Sequence, residues 1–331
     1  MRIVHAPMGH VGTVAGLGRW MVPPADRAGP ASIRRTMSDL RPASAARRPE
    51  TARPRTADEH QHDEPDIVID PPTPAELDAM QRHLACLPVH SGATAAWEAA
   101  LGALIVRQDG AGPSGNYAAM PRWKAQAWHP TLNRVTQLVR RTGSWPSLMV
   151  SDERDLPPRL GDALQRVGWH AVQRETVLWV GRASVIAHLD PRMRIEAVQA
   201  RSVDAHEAVE REIFGLPQEM ASDRRAAIAT ALRTGSLRAF VVRVDDEPVA
   251  VARLSQGEGV AGIYAVGVRQ PWRGQGYGTL LTTIATRAGM AIGNRVVWLS
   301  VEDGNDVARH VYEKLHFREA FTWARWLATP E

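Results

Sequence analysis

The run Arg-Gln-Pro-Trp-Arg-Gly-Gln-Gly-Tyr-Gly-Thr at 269–279 puts glycines at 274, 276 and 278, between a strand-like segment and a helix-like one. Glycine admits positive φ and lets an anion approach the backbone. The first turn of the helix that follows leaves its N–H groups unpaired, with roughly half a positive charge at that end. A strand feeding a helix through such a loop is suited to a pyrophosphate. Alone, Gly-x-Gly-x-Gly fits a plain tight turn equally well. The Walker loop is a poor match because no Gly-Lys-Ser or Gly-Lys-Thr follows. The dinucleotide fingerprint wants glycine or alanine three residues after the second glycine, where Thr279 stands, and a β-α-β start. A nucleotide-dependent oxidoreductase, with Glu302 as the ribose-binding acid, is therefore the weaker alternative.

The pattern around the loop is more specific than the loop. Strand-like segments at 194–198, 237–244, 249–255 and 262–268 accompany helical periodicity at 203–214 and 222–233. Asp245, Asp246, Glu247 and Pro248 mark a hairpin between two of the strands. After the loop come a helix at 276–290, a strand at 295–301, a helix at 305–315 and a last strand beyond Phe317. The order β-α-α-β-β-β-α-β-α predicts an α/β (α+β) fold: a mixed, mostly antiparallel sheet flanked by helices on both faces.

Residues 268–281 resemble the coenzyme A-binding signature of the GNAT N-acetyltransferase superfamily, Arg/Gln-x-x-Gly-x-Gly/Ala, through Arg273, Gly276 and Gly278. Asn305, Ala308, Tyr312 and Phe317 match that family's next conserved spacing, so the resemblance spans about 194–327. It implies direct transfer of acetyl from acetyl-CoA, without an acyl-enzyme or a metal, to a small-molecule or peptide amine. By the same resemblance, Val266, Gly267 and Val268 hold the pantetheine and thioester, with Gly267 allowing local irregularity. The amides of Arg273, Gly274, Gln275, Gly276, Tyr277, Gly278 and Thr279 hold the pyrophosphate. Asn305 reaches the cofactor arm or serves as a helix N-cap, and the two roles are compatible. Tyr312 protonates the departing thiolate, or is a packed core tyrosine. His310 and His316 are weaker candidates; His316 replaces the family's usual glycine and so needs a left-handed conformation or a changed turn.

A general base is not evident. An ammonium cannot attack, so something must accept its proton. Relatives that acetylate protein N-termini often carry Glu five residues before the asparagine, where this chain has Ser300. Histone-type relatives carry Glu on the strand before the loop, where Gly262 stands. Glu258 and Glu302 are nearby substitutes, and ordered water could serve instead. A missing base would also suit a non-catalytic regulator that binds acetyl-CoA as a signal.

The chain of 331 residues has room for more than this one domain. Helical patterns at 75–86, 131–141 and 158–167 and strands at 101–107, 147–150 and 170–180 make a first α/β unit at 74–181. Its Gly168-Trp169 ending resembles the family's Gly-Phe close, which suggests a degenerate GNAT-like copy without the phosphate loop. Asn116, Tyr117, Trp123 and Trp128 are candidates for lining an acceptor cleft, against a plain core or surface role. The boundary falls at 181–193, and the catalytic unit is expected at 194–331.

Residues 1–70, with Pro and Arg clustered at 41–55, read as a disordered or misassigned extension; Met37 is an alternative start. With Lys plus Arg at 40 against Asp plus Glu at 36, the charge balance gives little support for nucleic acid or membrane binding. No apolar run is long enough to span a membrane, and the single cysteine, Cys86, cannot form an internal disulfide. These features predict a cytoplasmic setting. Acceptor identity and oligomeric state stay open.

Overall fold

The order of strands in the sheet departs from the order of the sequence at its centre. A computed structural model of the protein describes residues 69–185 and 191–329. The reading of 1–70 as an extension falls almost wholly outside them. The first half comprises α1 (Pro74–Ala85), β1 (Thr94–Glu98), β2 (Ala103–Arg107), β3 (Tyr117–Ala119), α2 (Trp128–Arg140), β4 (Ser147–Val150), α3 (Leu160–Arg166) and β5 (Trp169–Val180). The second comprises β6 (Met193–Ala197), α4 (Val203–Phe214), α5 (Ala221–Thr234), β7 (Leu237–Val244), β8 (Glu247–Gly257), β9 (Val260–Val268), α6 (Tyr277–Ala291), β10 (Val296–Glu302), α7 (Asp306–Lys314) and β11 (Arg318–Ala328). All the strands join one sheet, in the order β1-β2-β3-β4-β11-β5-β10-β9-β8-β7-β6.

The last strand of each half has crossed to the other. β5 lies between β11 and β10, antiparallel to both, and β11 lies between β4 and β5, antiparallel to both. Each half also has one parallel pair bridged by a helix: β3 and β4 across α2, and β9 and β10 across α6. The sheet is thus mixed, mostly antiparallel, and flanked by helices, as the element order predicts.

Local chemistry accounts for the elements. Thr73 and Glu76 form a reciprocal capping box at the start of α1, with Pro74 in the first turn. Asp245 and Asp246 both take positive φ, +48° and +69°, which matches the twist of the β7–β8 hairpin. Two strands escaped the sequence reading. β3 is three residues long, and β1 is largely exposed, so neither carries a period-two apolar pattern.

The apolar face of α6 and α7 buries Leu281, Ala285, Ala308, Tyr312 and Leu315 against Leu178, Val297, Leu299 and Val301 of the central strands. α2 and α3 bury Leu132, Val135, Val139, Leu160 and Leu164 against Leu148 and Trp326. On the other side α4 packs Val209 and Ile213 on Val241 and Val251, and α5 packs Ile228 and Ala231 on Leu237.

The end of α7 sets the position of Tyr312. The Phe317 N–H donates to the Tyr312 carbonyl at 3.0 Å and the His316 N–H to the Glu313 carbonyl at 2.9 Å, a Schellman closure. The Tyr312 and Phe317 rings meet at 5.9 Å between centroids, the apolar contact that accompanies such a closure. His316 supplies the left-handed residue, with φ +63°, where glycine is the usual occupant. A non-glycine residue there costs about 1–2 kcal/mol, partly offset by the extra freedom glycine has in the unfolded chain. His316→Gly should therefore raise stability by about 0.5–1 kcal/mol, measurable by urea denaturation. A loss of stability would show that the exposed imidazole makes a favourable interaction.

Candidate functional site

Strands β9 and β10 begin as a parallel pair and then separate. They pair at Val296↔Val260, Val297↔Ala261 and Trp298↔Gly262, and no further. A bulge in β9 accompanies the separation. Val251 pairs with Gly267 and Arg253 with Tyr264, so Ala265 and Val266 together oppose Ala252, a β-bulge with Ala265 at φ +52°. At the last paired position the Trp298 indole covers Gly262 so closely that a Cβ there would lie 2.6 Å from Cζ2. That contact also explains why no carboxylate stands at 262. The resulting narrow cleft is lined by residues 263–266, residues 300–302, Asn305, Ala308 and Tyr312.

The β9 edge facing the cleft offers backbone N–H and C=O groups without β-ladder partners, the groups a pantetheine arm can pair with. Val266 lines this edge, and Val268 ends it. Gly267 has a different function from the irregularity expected of it. The irregularity sits at Ala265, while a Cβ on Gly267 would lie 2.7 Å from Ile213 Cγ2, so glycine here permits α4 to pack closely.

The loop after β9 carries Gly274 and Gly276 at φ +77° and +85°, with open space where a side chain would begin. Gly276 is the N-cap of α6, so the amides of Tyr277, Gly278 and Thr279 have no intrahelical acceptor. Arg273 Nε donates to the Val268 carbonyl at 3.2 Å, and Gln275 Nε2 to the Pro271 carbonyl at 3.4 Å, which brace the loop. Tyr277 is buried with its ring edge-on to Trp272. This arrangement is suited to a pyrophosphate.

Asn305 accepts the Ala308 N–H at 3.2 Å through Oδ1, which caps α7, while it also lines the cleft. Tyr312 lies in the cleft wall. Burial, with a smaller contribution from the nearby Glu175 charge, pushes its phenol up to about 12, so it remains protonated at neutral pH. His310 and His316 are exposed.

Glu302 lines the cleft, whereas Glu258 sits in the turn before β9, at the far end of the strand, ion-paired with Arg82 at 3.0 Å. The acidic group missed in the sequence is Glu175, on β5. It pairs across the ladder with Glu302 on one side and Trp323 on the other, and is 1% exposed. Burial, which outweighs the lowering by the Ser300 and Gln173 hydrogen bonds, holds its carboxyl up at about 7, with lesser and opposed contributions from Glu302, which raises it, and Arg325, which lowers it. Nothing near it in the sequence marks it, because β5 comes beside β10 only through strand exchange.

The residues proposed for an acceptor cleft in the first half are structural. Asn116 Nδ2 donates to the Gln108 carbonyl at 2.8 Å, Tyr117 Oη to the Ala85 carbonyl at 2.7 Å and Trp123 Nε1 to the Leu101 carbonyl at 2.8 Å. Trp128 packs on the α2 core. Among the described residues, no cluster of three His, Cys, Asp or Glu is placed to hold a metal, and no helix is long and apolar enough to cross a membrane.

Comparison with known proteins bears on this arrangement. The family model described as "Acetyltransferase (GNAT) family" matches residues 203–317, which include β9, the glycine loop, α6, β10 and α7. No curated protein sequence matches the chain significantly. Among solved structures, a GCN5-related N-acetyltransferase from Kribbella flavida is similar with a TM-score of 0.58 at 18% identity, over 76% of this chain and 96% of that one. A GCN5-related N-acetyltransferase from Sphaerobacter thermophilus gives 0.53 at 15% identity, over 77% and 93%. A tandem GNAT protein from the clavulanic acid biosynthesis pathway gives 0.52 at 16%, over 69% and 79%. These likenesses concern the fold, and the family match adds the signature on the loop and cleft. Residues 203–317 are a domain of the GNAT acetyltransferase family, and the protein that carries it is an acyltransferase.

Proposed function

We propose that the protein transfers acetyl from acetyl-CoA directly to the amine of a small molecule or peptide, in the cleft between β9 and β10. The observation that carries this reading is the coincidence of three features: a split parallel pair with an unpaired backbone edge, a loop of free amides directly after the β9 edge, and a protonated tyrosine in the cleft wall. Acetyl-CoA supplies an activated acyl carbon as its thioester. The amides of residues 273–279 hold the pyrophosphate by hydrogen bonds and helix-end charge. The free edge of residues 264–268 orients the pantetheine, and Asn305 steadies the arm while it caps α7. Tyr312 gives its proton to the leaving sulfur.

In this reading residues 74–181 are a degenerate copy of the 194–331 unit, which keeps the strand-exchange scaffold and lacks the phosphate loop. The topology supports it, since each half has a helix-bridged parallel pair and an exchanged last strand. A cytoplasmic setting suits the lone Cys86.

Two substitutions test the cofactor site. Gly276→Asp puts a negative charge against the phosphates at a position where aspartate tolerates the left-handed backbone and meets no neighbour. Affinity for acetyl-CoA, measured by calorimetry, should fall at least about tenfold, ~1.4 kcal/mol. Unchanged affinity in a folded variant would remove the loop from the binding site. Tyr312→Phe keeps the ring and its contact with Phe317. It should lower kcat about a hundredfold while acetyl-CoA affinity stays within about twofold. The assay is thiol release with spermidine, kanamycin, lysine or a hexapeptide with a free N-terminus, using whichever turns over fastest. Turnover within about threefold of wild type, with chemistry rate-limiting, would leave Tyr312 a packing residue.

A further inference from the structure

The acetyl-transfer reading leaves one step unassigned, the removal of the acceptor's proton, and the residue positions for which relatives suggest a base hold Ser300 and Gly262. A carboxylate nevertheless lies beside Ser300, brought there by the other half of the chain. Ser300 lines the cleft on β10. Residues facing each other across an antiparallel ladder, and residues two apart along one strand, share a face. Glu302 pairs with Glu175 and Ser300 with Val177, so Ser300, Glu302 and Glu175 occupy one face of the sheet. Leu299 and Val301 point to the opposite face, into the core under α6 and α7. Glu175 therefore belongs to the side of the sheet away from Tyr312's helix.

The environment of Glu175 differs from that of the buried carboxylates Asp155 and Glu210, and, unlike Glu207, whose Oε1 also has no hydrogen-bond partner, it has no arginine within ion-pair distance. Asp155 accepts from Gln81 and Arg122 at 2.7 Å each and from the Ser151 N–H at 2.8 Å, so it is held as a structural anion. Glu210 is clamped by Arg224 at 2.6 Å and by Arg253. Glu175 forms no such ion pair. It accepts from Gln173 through Oε1 and is stabilised by the Ser300 hydroxyl, while Oε2 is buried without a hydrogen-bond partner. An unpaired buried oxygen of this kind costs stability, so a structural role accounts for it poorly. The groups that face it are Ser300 and Glu302 on β10, Gln173 on its own strand, and Arg325 and Trp323 on β11, while the Tyr312 phenol on the other side of the sheet is near enough to feel its charge.

We infer that Ser300 and Glu175 form a proton relay for the acceptor amine, in which Ser300 touches the nitrogen and Glu175 acts through it. The ammonium gives one proton to Ser300 Oγ as the Ser300 O–H proton passes to the Glu175 carboxylate. The neutral nitrogen then bonds to the acetyl carbon and the C–S bond breaks. Of the two protons that nitrogen surrenders in all, one is released from Glu175 to solvent. The other balances the proton that Tyr312 gives to sulfur. Glu175 must be ionised to accept a proton, and its carboxyl titrates at about 7, so the rate through the relay rises as pH passes through that value and then levels.

The proposal rests on the acetyl-transfer reading, and the two are separable by measuring acetyl-CoA binding and turnover on the same full-length proteins. With the fastest amine of the panel above, Glu175→Gln should lower kcat/KM at pH 7.5 by about a hundredfold. The ascending limb near pH 7 should vanish, leaving only the titration of the acceptor itself. Ser300→Ala should show a similar loss and Glu302→Gln a small one. Acetyl-CoA affinity and melting temperature should stay near wild type in all three, because Gln keeps the shape of Glu175 and loses only a charge that the site disfavours. Wild-type turnover together with an unchanged profile in Glu175→Gln would overturn the relay and leave the acetyltransferase reading standing. Loss in Glu302→Gln but not in Glu175→Gln would transfer the role to Glu302. Acetyl-CoA binding without turnover of any amine by the wild type would overturn both.

Discussion

The antiparallel pairing of β5 with β11 is the constraint on which the rest of the structure depends. It runs from Arg318↔Trp179 to Ala328↔Trp169 through the middle of the sheet, and it joins strands that end different halves of the chain. Without it β10 and β4 would each expose an unpaired edge, and the sheet would divide into two smaller ones with open hydrogen-bonding groups. With it, the apolar faces of both halves are buried on one continuous surface. β5 also becomes the neighbour of β10, so a residue from the first half stands next to a cleft built by the second.

The cleft follows from a conflict that the same sheet resolves locally. β9 must stay in register with β8 while it separates from β10, and the bulge at Ala265 permits this by adding a residue to one side of the ladder. Trp298 holds the opening end in place from below. Its indole fills the space over Gly262 and donates to His83 Nδ1 at 3.3 Å, and His83 in turn meets Ser255 Oγ at 2.9 Å through its other nitrogen. Burial pushes His83 down to about 4, so this link between α1 and the sheet is neutral at physiological pH. A residue from the first half therefore supports the floor of the site, and another borders its face.

What could be read in the sequence was what local chemistry dictates. The loop at 269–279 declared itself because positive φ needs glycine, and α4, read at 203–214, has those bounds in the structure because its apolar spacing and the glycine after it are local signals. The double aspartate at 245 and 246 marked its hairpin for the same reason. The bulge could not be read, since an alanine at φ +52° has no compositional signature. The irregularity expected at Gly267 belongs to Ala265, two residues before it, because a close helix contact and a backbone irregularity look alike in one letter. Glu258 was near the loop in sequence yet is separated from the cleft by the paired start of β9, residues 260–262. Glu175 was far from it in sequence yet adjacent in space. Strand exchange is a non-local choice, fixed by which edges remain unpaired once both halves have formed, and no window of residues contains it.

In the proposed reaction the β9–β10 split holds the reacting thioester between Tyr312 on one side and Ser300 on the other. The most direct measurement is a crystal structure with a non-hydrolysable thioether analogue of acetyl-CoA. The pyrophosphate is expected on the amides of residues 273–279 and the pantetheine along residues 264–268. The sulfur is expected within hydrogen-bonding reach of Tyr312 Oη, about 3–3.5 Å, and the acetyl group turned toward Ser300. An analogue bound outside the split, or one whose sulfur lies away from Tyr312 with the cleft closed between β9 and β10, would contradict the proposed reaction.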